Sequence, residues 1–138
     1  MKIIDIKYPN TKLLESFIAN AGSSLKQFKY FEAREIDIIR YHICTCVLVA
    51  DDEVLAYGHL DEERGIVWLG VAVAEKHTGK GYGNAMMDEL IKVAHKQGVE
   101  KIKLSVDNTN TKAIKLFEKF NFKQLANKEK FSFYELVV

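Results

Sequence analysis

The sequence predicts an α+β fold in which helices cover both faces of a mixed, mainly antiparallel sheet of about seven strands. Three β-type runs joined by short turns fill the middle of the chain, which is typical of an antiparallel meander. Two segments with apolar residues at helical spacing come later, and strand-type runs follow each of them. The expected order is β-α-α-β-β-β-α-β-α-β-β, and the 138 residues are expected to form one domain, 1–138.

The N-terminal part is predicted to contain one strand and two short helices. Residues 1–8 alternate apolar and polar side chains, as a strand does. A short helix capped by Asn10 or Thr11 carries apolar residues at helical spacing, namely Leu13, Leu14, Phe17 and Ile18. A second short helix is predicted over 23–28. Residues 29–40 show no clear period, so the sequence leaves this segment without an assignment.

The middle of the chain is predicted to form three antiparallel strands, at 42–50, 53–61 and 66–73. Polar turns at 51–52 and 62–65 separate them. Connections this short allow only neighbouring antiparallel strands, because a parallel pair needs a crossover of a dozen residues or more.

The pattern then takes the period of a helix over 81–97. Met86, Leu90 and Ala94 form one apolar stripe along it, and Gly98 is a suitable residue just after its end. The stripe predicts a helix that packs one face on the sheet.

The C-terminal part is predicted to contain a strand at 101–106, a helix at 110–120 and strands at 122–125 and 131–138. The last strand is apolar and unbroken, and such a strand at an exposed edge invites pairing with a second copy of the chain. A homodimer is therefore expected.

Composition argues against several classes of protein. The net charge of +1 is too small to indicate binding to nucleic acid or an anionic membrane surface, and no apolar run approaches the roughly 20 residues of a membrane span. The N-terminus lacks the apolar stretch of a signal peptide, so the expected location is cytoplasmic.

Cys44 and Cys46 share one face of a strand and are expected to be reduced core thiols. The four histidines lack metal-ligand spacing, and no metal site is predicted.

The segment most informative about function is the strand-to-helix junction at 71–84. Gly79, Gly81 and Gly83 precede a predicted helix, and glycine permits both unusual dihedrals and a close approach of the backbone to a ligand. Free backbone N–H groups and the helix dipole favour an anion at such a helix start, and Lys80 adds a positive charge. The junction is interpreted as a cradle for phosphate or pyrophosphate. The alternative is a tight loop whose glycines only turn the chain.

Two common phosphate-binding motifs do not match this junction. A P-loop requires a first glycine where Ala74 stands, and Ser or Thr where Gly81 follows Lys80. A dinucleotide fingerprint requires a third glycine, where Asn84 or Met86 stands in the two registers. The preceding strands are also joined as hairpins, which is unlike a parallel βαβ unit.

The chain resembles the GNAT superfamily of acyl-CoA-dependent N-acyltransferases in two blocks. The first, 78–83, is similar to that family's pyrophosphate loop, Arg/Gln-x-x-Gly-x-Gly/Ala. The second, 110–122, is similar to its Asn-x-x-Ala-Ile-x-x-Tyr-x-x-x-Gly-Phe segment. The resemblance covers roughly 47–122, and two blocks at the right spacing are more specific than either alone.

The resemblance implies an acetyl-CoA site at named positions. The backbone of the strand would bind the pantetheine arm, the N–H groups of the loop would hold the pyrophosphate, and the second block would flank the thiol end. The acetyl group would lie in the gap where the strands ending near Val73 and Val106 diverge. The implied residues are Val71, Ala72, Val73, Thr78, Gly79, Lys80, Gly81, Tyr82, Gly83, Asn84, Asn110, Ala113 and Phe117.

Four positions depart from the family pattern. Thr78 replaces Arg or Gln, Glu75 stands where proline is common, and Asn121 replaces the glycine before Phe122. Phe117 occupies the position of a tyrosine often assigned as the general acid, and phenylalanine has no hydroxyl to protonate a leaving thiolate. Thiols have a pKa near 8.5, so a CoA thiolate can leave without a dedicated acid.

The expected reaction is direct attack of a neutral amine on the acetyl thioester, with a backbone N–H near Val71 stabilising the oxygen charge. His59 and Asp61 alternate along one strand with Tyr57 and share its face, so both are candidate bases. The unperturbed pKa of histidine, near 6.5, suits work at neutral pH. Tyr134 on the last strand is a candidate acid. The alternative for each is a packing or surface residue.

The expected acceptor is the primary amine of a small molecule, of the amino-sugar or polyamine type. An aromatic and basic stretch over 26–34 could line its site, because the first helices cover the substrate cleft in this resemblance; an ordinary amphipathic connector is the alternative. A different class of function is a catalytically degenerate acyl-CoA-binding sensor or scaffold, for which Phe117 is the main argument.

Overall fold

The computed structural model describes all residues, 1–138, and contains one seven-stranded sheet. Its spatial order is β1-β2-β3-β4-β5-β7-β6, and all neighbours are antiparallel except β4 and β5. The predicted mixed, mainly antiparallel sheet of seven strands is confirmed. The strands are β1 Lys2–Asp5, β2 His42–Ala50, β3 Glu53–Glu63, β4 Ile66–Val73, β5 Lys101–Asp107, β6 Lys123–Asn127 and β7 Phe131–Val137.

Three α-helices pack on the sheet, and four single-turn or slightly longer 3-10 segments complete the fold. The helices are α1 Lys12–Asn20, α2 Tyr82–Lys96 and α3 Thr111–Lys119. The 3-10 segments are Gly22–Lys26, Tyr30–Glu32, Ile36–Tyr41 and Glu75–His77.

The second helix predicted over 23–28 is in fact the 3-10 segment Gly22–Lys26. Gly22 has a φ of +69°, a left-handed conformation that ends α1 and prevents a continuous helix. Gly, Ser and Ser at the start of the segment have weak helix propensity, and none of its residues is buried, so packing gives an α-helix no support.

The α2 helix ends as predicted, with Gly98 just past its last residues at a φ of +73°. The N–H of Val99 donates to the carbonyl of Ala94 at 2.9 Å, and that of Gly98 donates to the carbonyl of His95 at 3.2 Å. This pair of bonds is the Schellman motif, which satisfies carbonyls that the helix end would leave free.

Two apolar clusters cover opposite faces of the sheet. The face under α2 and α3 includes Met86, Leu90 and Phe117. The face under α1 and the 3-10 segments includes Leu14, Phe17 and Tyr57. The prediction of helices on both faces is confirmed, and the cleft described below opens on the α1 face.

The C-terminal strand is not an edge of the sheet, so that part of the sequence-based prediction is wrong. β7 lies between β5 and β6 and is paired on both sides. Its apolar character instead reflects Tyr134 and Leu136, which pack in the apolar cluster under α2 and α3. The free edges belong to β1 and β6. The homodimer stays a prediction, without β7 as its interface.

None of the helices is both long and apolar enough to cross a membrane. Cys44 and Cys46 are free thiols on the α2 face of β2, with Cys46 fully buried.

Candidate active site

A cleft of about 1250 Å³ opens between β4 and β5. These two strands form a single ladder pair, Trp68 with Lys103, and then diverge. The part of β4 beyond Trp68 therefore has no partner strand on the β5 side, which leaves backbone groups available to an extended ligand. This is the gap that the resemblance predicts between the strands ending near Val73 and Val106.

The cleft brings together most of the residues predicted from the sequence. Two are missing from its lining, Lys80 and Tyr134. The predicted residues that line it are His59, Asp61, Val71, Ala72, Val73, Thr78, Gly79, Gly81, Tyr82, Gly83, Asn84, Asn110, Ala113 and Phe117.

The phosphate loop has the backbone that its glycines predict. Gly79 and Gly81 have φ angles of +77° and +86°, and a Cβ at either position would meet no atom within 4 Å, so the loop is open on its ligand side. The α2 helix begins immediately afterwards, at Tyr82. Gly83 serves a different purpose, since a Cβ there would lie 3.1 Å from Leu116 Cδ2, so the glycine lets the α3 side chain pack close against α2.

Side chains around the loop differ from the family pattern in their contacts. The Thr78 hydroxyl donates to the carbonyl of Glu75 at 3.1 Å, so its donor is used within the loop. Asn84 accepts from Lys119 Nζ at 2.6 Å through its side-chain oxygen. The backbone N–H groups therefore remain the main anion donors of this loop.

An ion pair that sequence reasoning missed anchors the segment leading into the loop. Glu53 at the start of β3 accepts from Lys76 Nζ at 3.2 Å and from His77 Nε2 at 2.6 Å. Both partners hold the pKa of the Glu53 carboxyl below its usual range. Glu53 is more than 20 residues away in sequence, and no local pattern relates it to the loop.

Asn110 and Ala113 line the cleft, but their polar groups bond to each other. The Asn110 side chain accepts from the backbone N–H of Ala113 at 3.2 Å and caps α3. Phe117, one turn further on, is 5% exposed and packs against Phe122. It presents an apolar edge to the cleft.

His59 lies buried at the centre of the cleft wall. Its Nδ1 is 2.7 Å from Tyr57 Oη. The Tyr57 hydroxyl has no other acceptor, so it donates to Nδ1, and the neutral ring then carries its proton on Nε2. Burial, with the nearby His42 and Arg34, lowers the pKa of His59 well below 6.5. The ring is therefore a neutral hydrogen-bond donor at physiological pH.

Asp61 lies two residues along the same strand and on the same face. Its Oδ2 accepts from Tyr30 Oη at 2.7 Å, while Oδ1 has no hydrogen-bond partner. Tyr30 Oη also lies 2.7 Å from His42 Nε2, and His42 Nδ1 lies 2.8 Å from Thr45 Oγ1. Burial and the bond to Asp61 raise the pKa of Tyr30, and burial lowers the pKa of His42 to about 4.

Aromatic rings form the rest of this end of the cleft. Phe28 and Tyr30 come from the stretch that the sequence left open as a substrate-lining segment or a connector, and the structure places both in the cleft wall. The Arg34 guanidinium lies 4.2 Å from the centroid of the Tyr30 ring. Trp68 and Phe133 form a second wall, with ring centroids 5.9 Å apart.

Tyr134 lies on the opposite face of the sheet from His59 and Asp61. It pairs with Leu104 in the ladder and joins the cluster under α2 and α3. Alternation along a strand sends the Phe133 side chain to the cleft face and the Tyr134 side chain away from it. The residue predicted as an acid is therefore not brought to the cleft.

Comparison with known families and structures agrees with this geometry. Residues 11–122 match the acetyltransferase (GNAT) family. None of the curated proteins matches in sequence. Among solved structures, yncA from Salmonella typhimurium, determined with acetyl-CoA, is 19% identical with a TM-score of 0.73, over 99% of this chain and 92% of that one. An acetyltransferase from Bacillus subtilis in complex with CoA is 18% identical with a TM-score of 0.74, over 99% and 98%.

A third similar structure is the ribosomal-protein-S18-alanine N-acetyltransferase from Escherichia coli, at 18% identity and a TM-score of 0.74, over 99% of this chain and 93% of that one. Identities this low show a shared fold, and the family match covers most of the chain. The protein therefore belongs to the GNAT acetyltransferase family and is an acyl-CoA-dependent N-acetyltransferase with acetyl-CoA as its co-substrate.

The residues present fit acetyl-CoA. The open face at Gly79 and Gly81 leaves room for a pyrophosphate close to backbone N–H groups. The divergence of β4 and β5 beyond Trp68 leaves one strand edge for an extended arm.

Proposed function

We propose that this protein transfers the acetyl group of acetyl-CoA to the primary amine of a small molecule, of the amino-sugar or polyamine type. One observation supports this most directly: a single cleft joins an open phosphate loop at one end to a carboxylate and aromatic wall at the other. The first end suits the cofactor, and the second suits a charged amine. We place the reaction in the cytosol, because two free thiols are typical of a reducing compartment.

Within this proposal, the N–H groups of the loop hold the pyrophosphate and the β4 backbone holds the pantetheine arm. The proposed cofactor residues are those predicted from the sequence that line the cleft, from β4, the loop and α3. Lys80 is outside the cleft lining. Its proposed contribution is long-range attraction of the anionic cofactor.

We assign the role of base to Asp61. Its carboxyl group has one oxygen occupied by Tyr30 and the other, Oδ1, without a partner at the cleft. His59 was the first candidate from sequence, but its Nδ1 is taken by Tyr57 and its pKa is lowered by burial. A neutral ring with its proton on Nε2 suits donation to a bound reactant better than proton abstraction.

The proposed step is a direct transfer. Oδ1 of Asp61 takes one proton from the ammonium group of the acceptor, and the freed nitrogen lone pair forms the new N–C bond. The C–S bond then breaks, and its electron pair leaves on the CoA sulfur. The second amine proton goes to water or to the thiolate. Phe117 offers no proton, and a thiol pKa near 8.5 makes the thiolate an adequate leaving group at neutral pH.

The acceptor end carries both signs of charge. Its aromatic walls, Trp68 with Phe133 and Phe28 with Tyr30, suit a flat or ring-shaped body. The carboxylates that line the cleft are Asp61, Glu63 and Asp107, and the basic residues outside the CoA loop and α3 are Lys29, Arg34, Arg64 and Lys130. An amino sugar that carries an anionic group fits this mixture better than a polyamine, which has only positive charge.

The proposal is tested in two stages with purified full-length protein. Calorimetric titration with acetyl-CoA, with ATP and NADH as controls, is expected to show saturable binding of acetyl-CoA alone. Thiol release is then measured with amino sugars, amino-sugar phosphates, polyamines and a peptide with a free N-terminal alanine. Turnover with an amino-sugar derivative and loss of at least about tenfold in kcat for Asp61→Asn, roughly 1.4 kcal/mol of barrier, would support the proposal.

Turnover with the peptide alone would instead move the acceptor class to protein N-termini. Similar kcat values for Asp61→Asn and wild type on any good acceptor would show that Asp61 is not the base.

A second candidate is an acyl-CoA-binding sensor without chemistry, which Phe117 favours because it removes a hydroxyl from the cleft. It predicts tight binding of acetyl-CoA and no thiol release above the rate without protein for any acceptor. The variant Phe117→Tyr distinguishes an active enzyme from a sensor without chemistry. A variant that gains turnover where the wild type has none supports the sensor, and one that leaves an existing turnover nearly unchanged supports departure of the thiolate without an acid.

A further inference from the structure

Four polar side chains from three segments form one line of hydrogen bonds that ends on Asp61. Thr45 and His42 belong to β2, Tyr30 to a 3-10 segment, and Asp61 to β3. The three successive contacts measure 2.8, 2.7 and 2.7 Å. Thr45 and Asp61 are buried, and Tyr30 and His42 are half-buried. Such short, consecutive bonds away from bulk water fix the geometry of their members.

The direction of every proton in this line follows from the chemistry of its last member. An ionised carboxylate only accepts, so the Tyr30 hydroxyl must donate to Asp61. Tyr30 Oη then accepts from His42, which places the His42 proton on Nε2. His42 Nδ1 is left as an acceptor and receives the Thr45 hydroxyl proton. One arrangement satisfies all four groups.

We propose that Thr45, His42 and Tyr30 are positioning residues that hold the Asp61 carboxyl group in one orientation, with Oδ2 occupied and Oδ1 open to the amine. The inference rests on the proposed function, because it takes Asp61 as the base. Tyr30 is the only one of the three that touches the carboxylate. The other two act by keeping its hydroxyl turned toward Oδ2.

The line holds a proton acceptor in place and does not carry protons away. A proton leaving Asp61 through Tyr30 would need an empty Nε2 on His42, and that atom already bears a proton. The proton taken from the amine therefore returns to solvent through the cleft. Because burial lowers the pKa of His42 to about 4, the ring stays neutral through neutral pH, and its hydrogen bonds select the tautomer.

Other charged and titratable groups face the same carboxylate region. His59 lies on the adjacent cleft position of β3, with its ring centroid 4.3 Å from that of Tyr30. Arg34 lies over the Tyr30 ring. Its positive charge lowers the pKa of the Tyr30 hydroxyl, whereas the Glu63 carboxylate raises it. Neither Arg34 nor Glu63 forms a hydrogen bond to Asp61, so Tyr30 is its direct donor.

The first arm of the test does not depend on activity. Nitrogen-15 spectra of the histidine side chains in the wild type are expected to show His42 with a proton on Nε2 and none on Nδ1 between pH 8 and 6. Thr45→Val removes the donor to Nδ1 without changing side-chain volume much and is expected to admit the other tautomer. Thr45→Ser keeps the hydroxyl and is expected to behave as wild type. A proton on Nδ1 in the wild type would overturn the proposal.

The second arm uses Tyr30→Phe, with Tyr41→Phe as the matched control, since Tyr41 is 69% exposed and lies outside the cleft. Loss of the Tyr30 hydroxyl frees the Asp61 carboxyl group to turn, so kcat for the amine is expected to fall at least about tenfold in Tyr30→Phe, with KM for the amine and the dissociation constant of acetyl-CoA unchanged. An unchanged kcat, or a loss of kcat accompanied by a matching rise in KM or weaker binding of acetyl-CoA, would mean a merely structural role and would overturn the proposal.

Failure of the proposed function gives a different result. A wild type that binds acetyl-CoA yet acetylates no amine would overturn catalysis itself. The nitrogen-15 spectra of the first arm then still decide whether this line of hydrogen bonds forms. A proton on His42 Nδ1 in the wild type would overturn that part as well.

Discussion

The imidazole of His59 on β3 lies against Gly70, its register partner on β4. A Cβ at position 70 would be 2.6 Å from His59 Nε2 and 3.0 Å from Phe28 Cε1, and real Cβ atoms do not approach other atoms as closely as the first of these distances. The absence of a side chain at position 70 is therefore what allows the ring and Phe28 to share the cleft wall.

Gly70→Ala is expected to displace His59 and Phe28, to lower kcat/KM for the amine, and to destabilise the fold by about 1–3 kcal/mol through overpacking. Urea unfolding and steady-state kinetics measure the two effects. His59→Ala removes the opposing ring, so the double variant is expected to be more stable than the sum of the two single changes predicts. Strict additivity would show that the two residues do not press on each other.

Gly81→Ala is expected to weaken acetyl-CoA binding without creating a clash. Its φ of +86° is left-handed and its surroundings are open, so alanine pays for the backbone conformation alone, about 1–2 kcal/mol. The loop would relax in the free protein, and the cofactor would have to restore it, which raises Kd about five- to thirtyfold. Gly81→Asn tolerates this conformation better and is expected to lie between alanine and wild type in calorimetric titration. Unchanged affinity in Gly81→Ala would contradict the cradle.

Thr78→Arg is expected to strengthen acetyl-CoA binding, because it adds a cation beside the phosphate loop where the native hydroxyl is already bonded to the Glu75 carbonyl. A solvent-exposed pair contributes about 0.5–1 kcal/mol, which corresponds to a two- to fivefold lower Kd, and the gain should shrink at high salt. Thr78→Ala is the control, with little expected change. A large loss of affinity in Thr78→Ala would show that the hydroxyl contacts the cofactor after all.

Stability is expected to fall as the pH drops below about 6.5. Burial lowers the pKa of His42 from 6.5 to about 4 and lowers the pKa of His59 well below 6.5. Between pH 6.5 and the lowered pKa of each histidine, the unfolded chain binds protons that the folded chain does not. The free energy of unfolding therefore decreases as the pH falls through this window. For His42 the decrease ends near pH 4.

Urea unfolding at pH 7.5 and 5.5 measures this effect above the range where most carboxylates titrate. His42→Gln is expected to lose less stability between the two pH values than wild type. His95→Gln, which changes an exposed histidine on α2, serves as the control. An identical loss in His42→Gln and wild type would show that His42 does not contribute.

Local patterns were sufficient to predict most of the secondary structure. The turn residues at 51–52 and 62–65 define three strands whose starts agree with the structure, and β3 ends two residues later than expected. The residues 29–40, which carry no clear period, form short 3-10 segments. Such segments make few repeating contacts and leave little trace in a sequence.

The two halves of the candidate site also differ in how well the sequence predicts them. Its cofactor half is a continuous stretch around Gly79 and Gly81, so the sequence predicts it directly. Its acceptor half depends on a contact between distant segments, because Tyr30 reaches Asp61 across 31 positions. The ion pair that anchors the cofactor loop is also long-range, because Glu53 reaches His77 across 24 positions. Sequence spacing carries no signal for either pair.

By itself, the sequence determined the α+β class, the glycine loop and the two blocks shared with a family of acetyltransferases, because each depends on residues near one another along the chain. The tertiary structure alone decided which groups meet. It paired β7 on both sides, which removed the expected edge, and it turned Tyr134 to the face opposite the cleft. It also gave Asp61 a donor and His59 a fixed tautomer. Side-chain chemistry in a cleft depends on strand order and face, and these are set by packing between segments far apart in sequence.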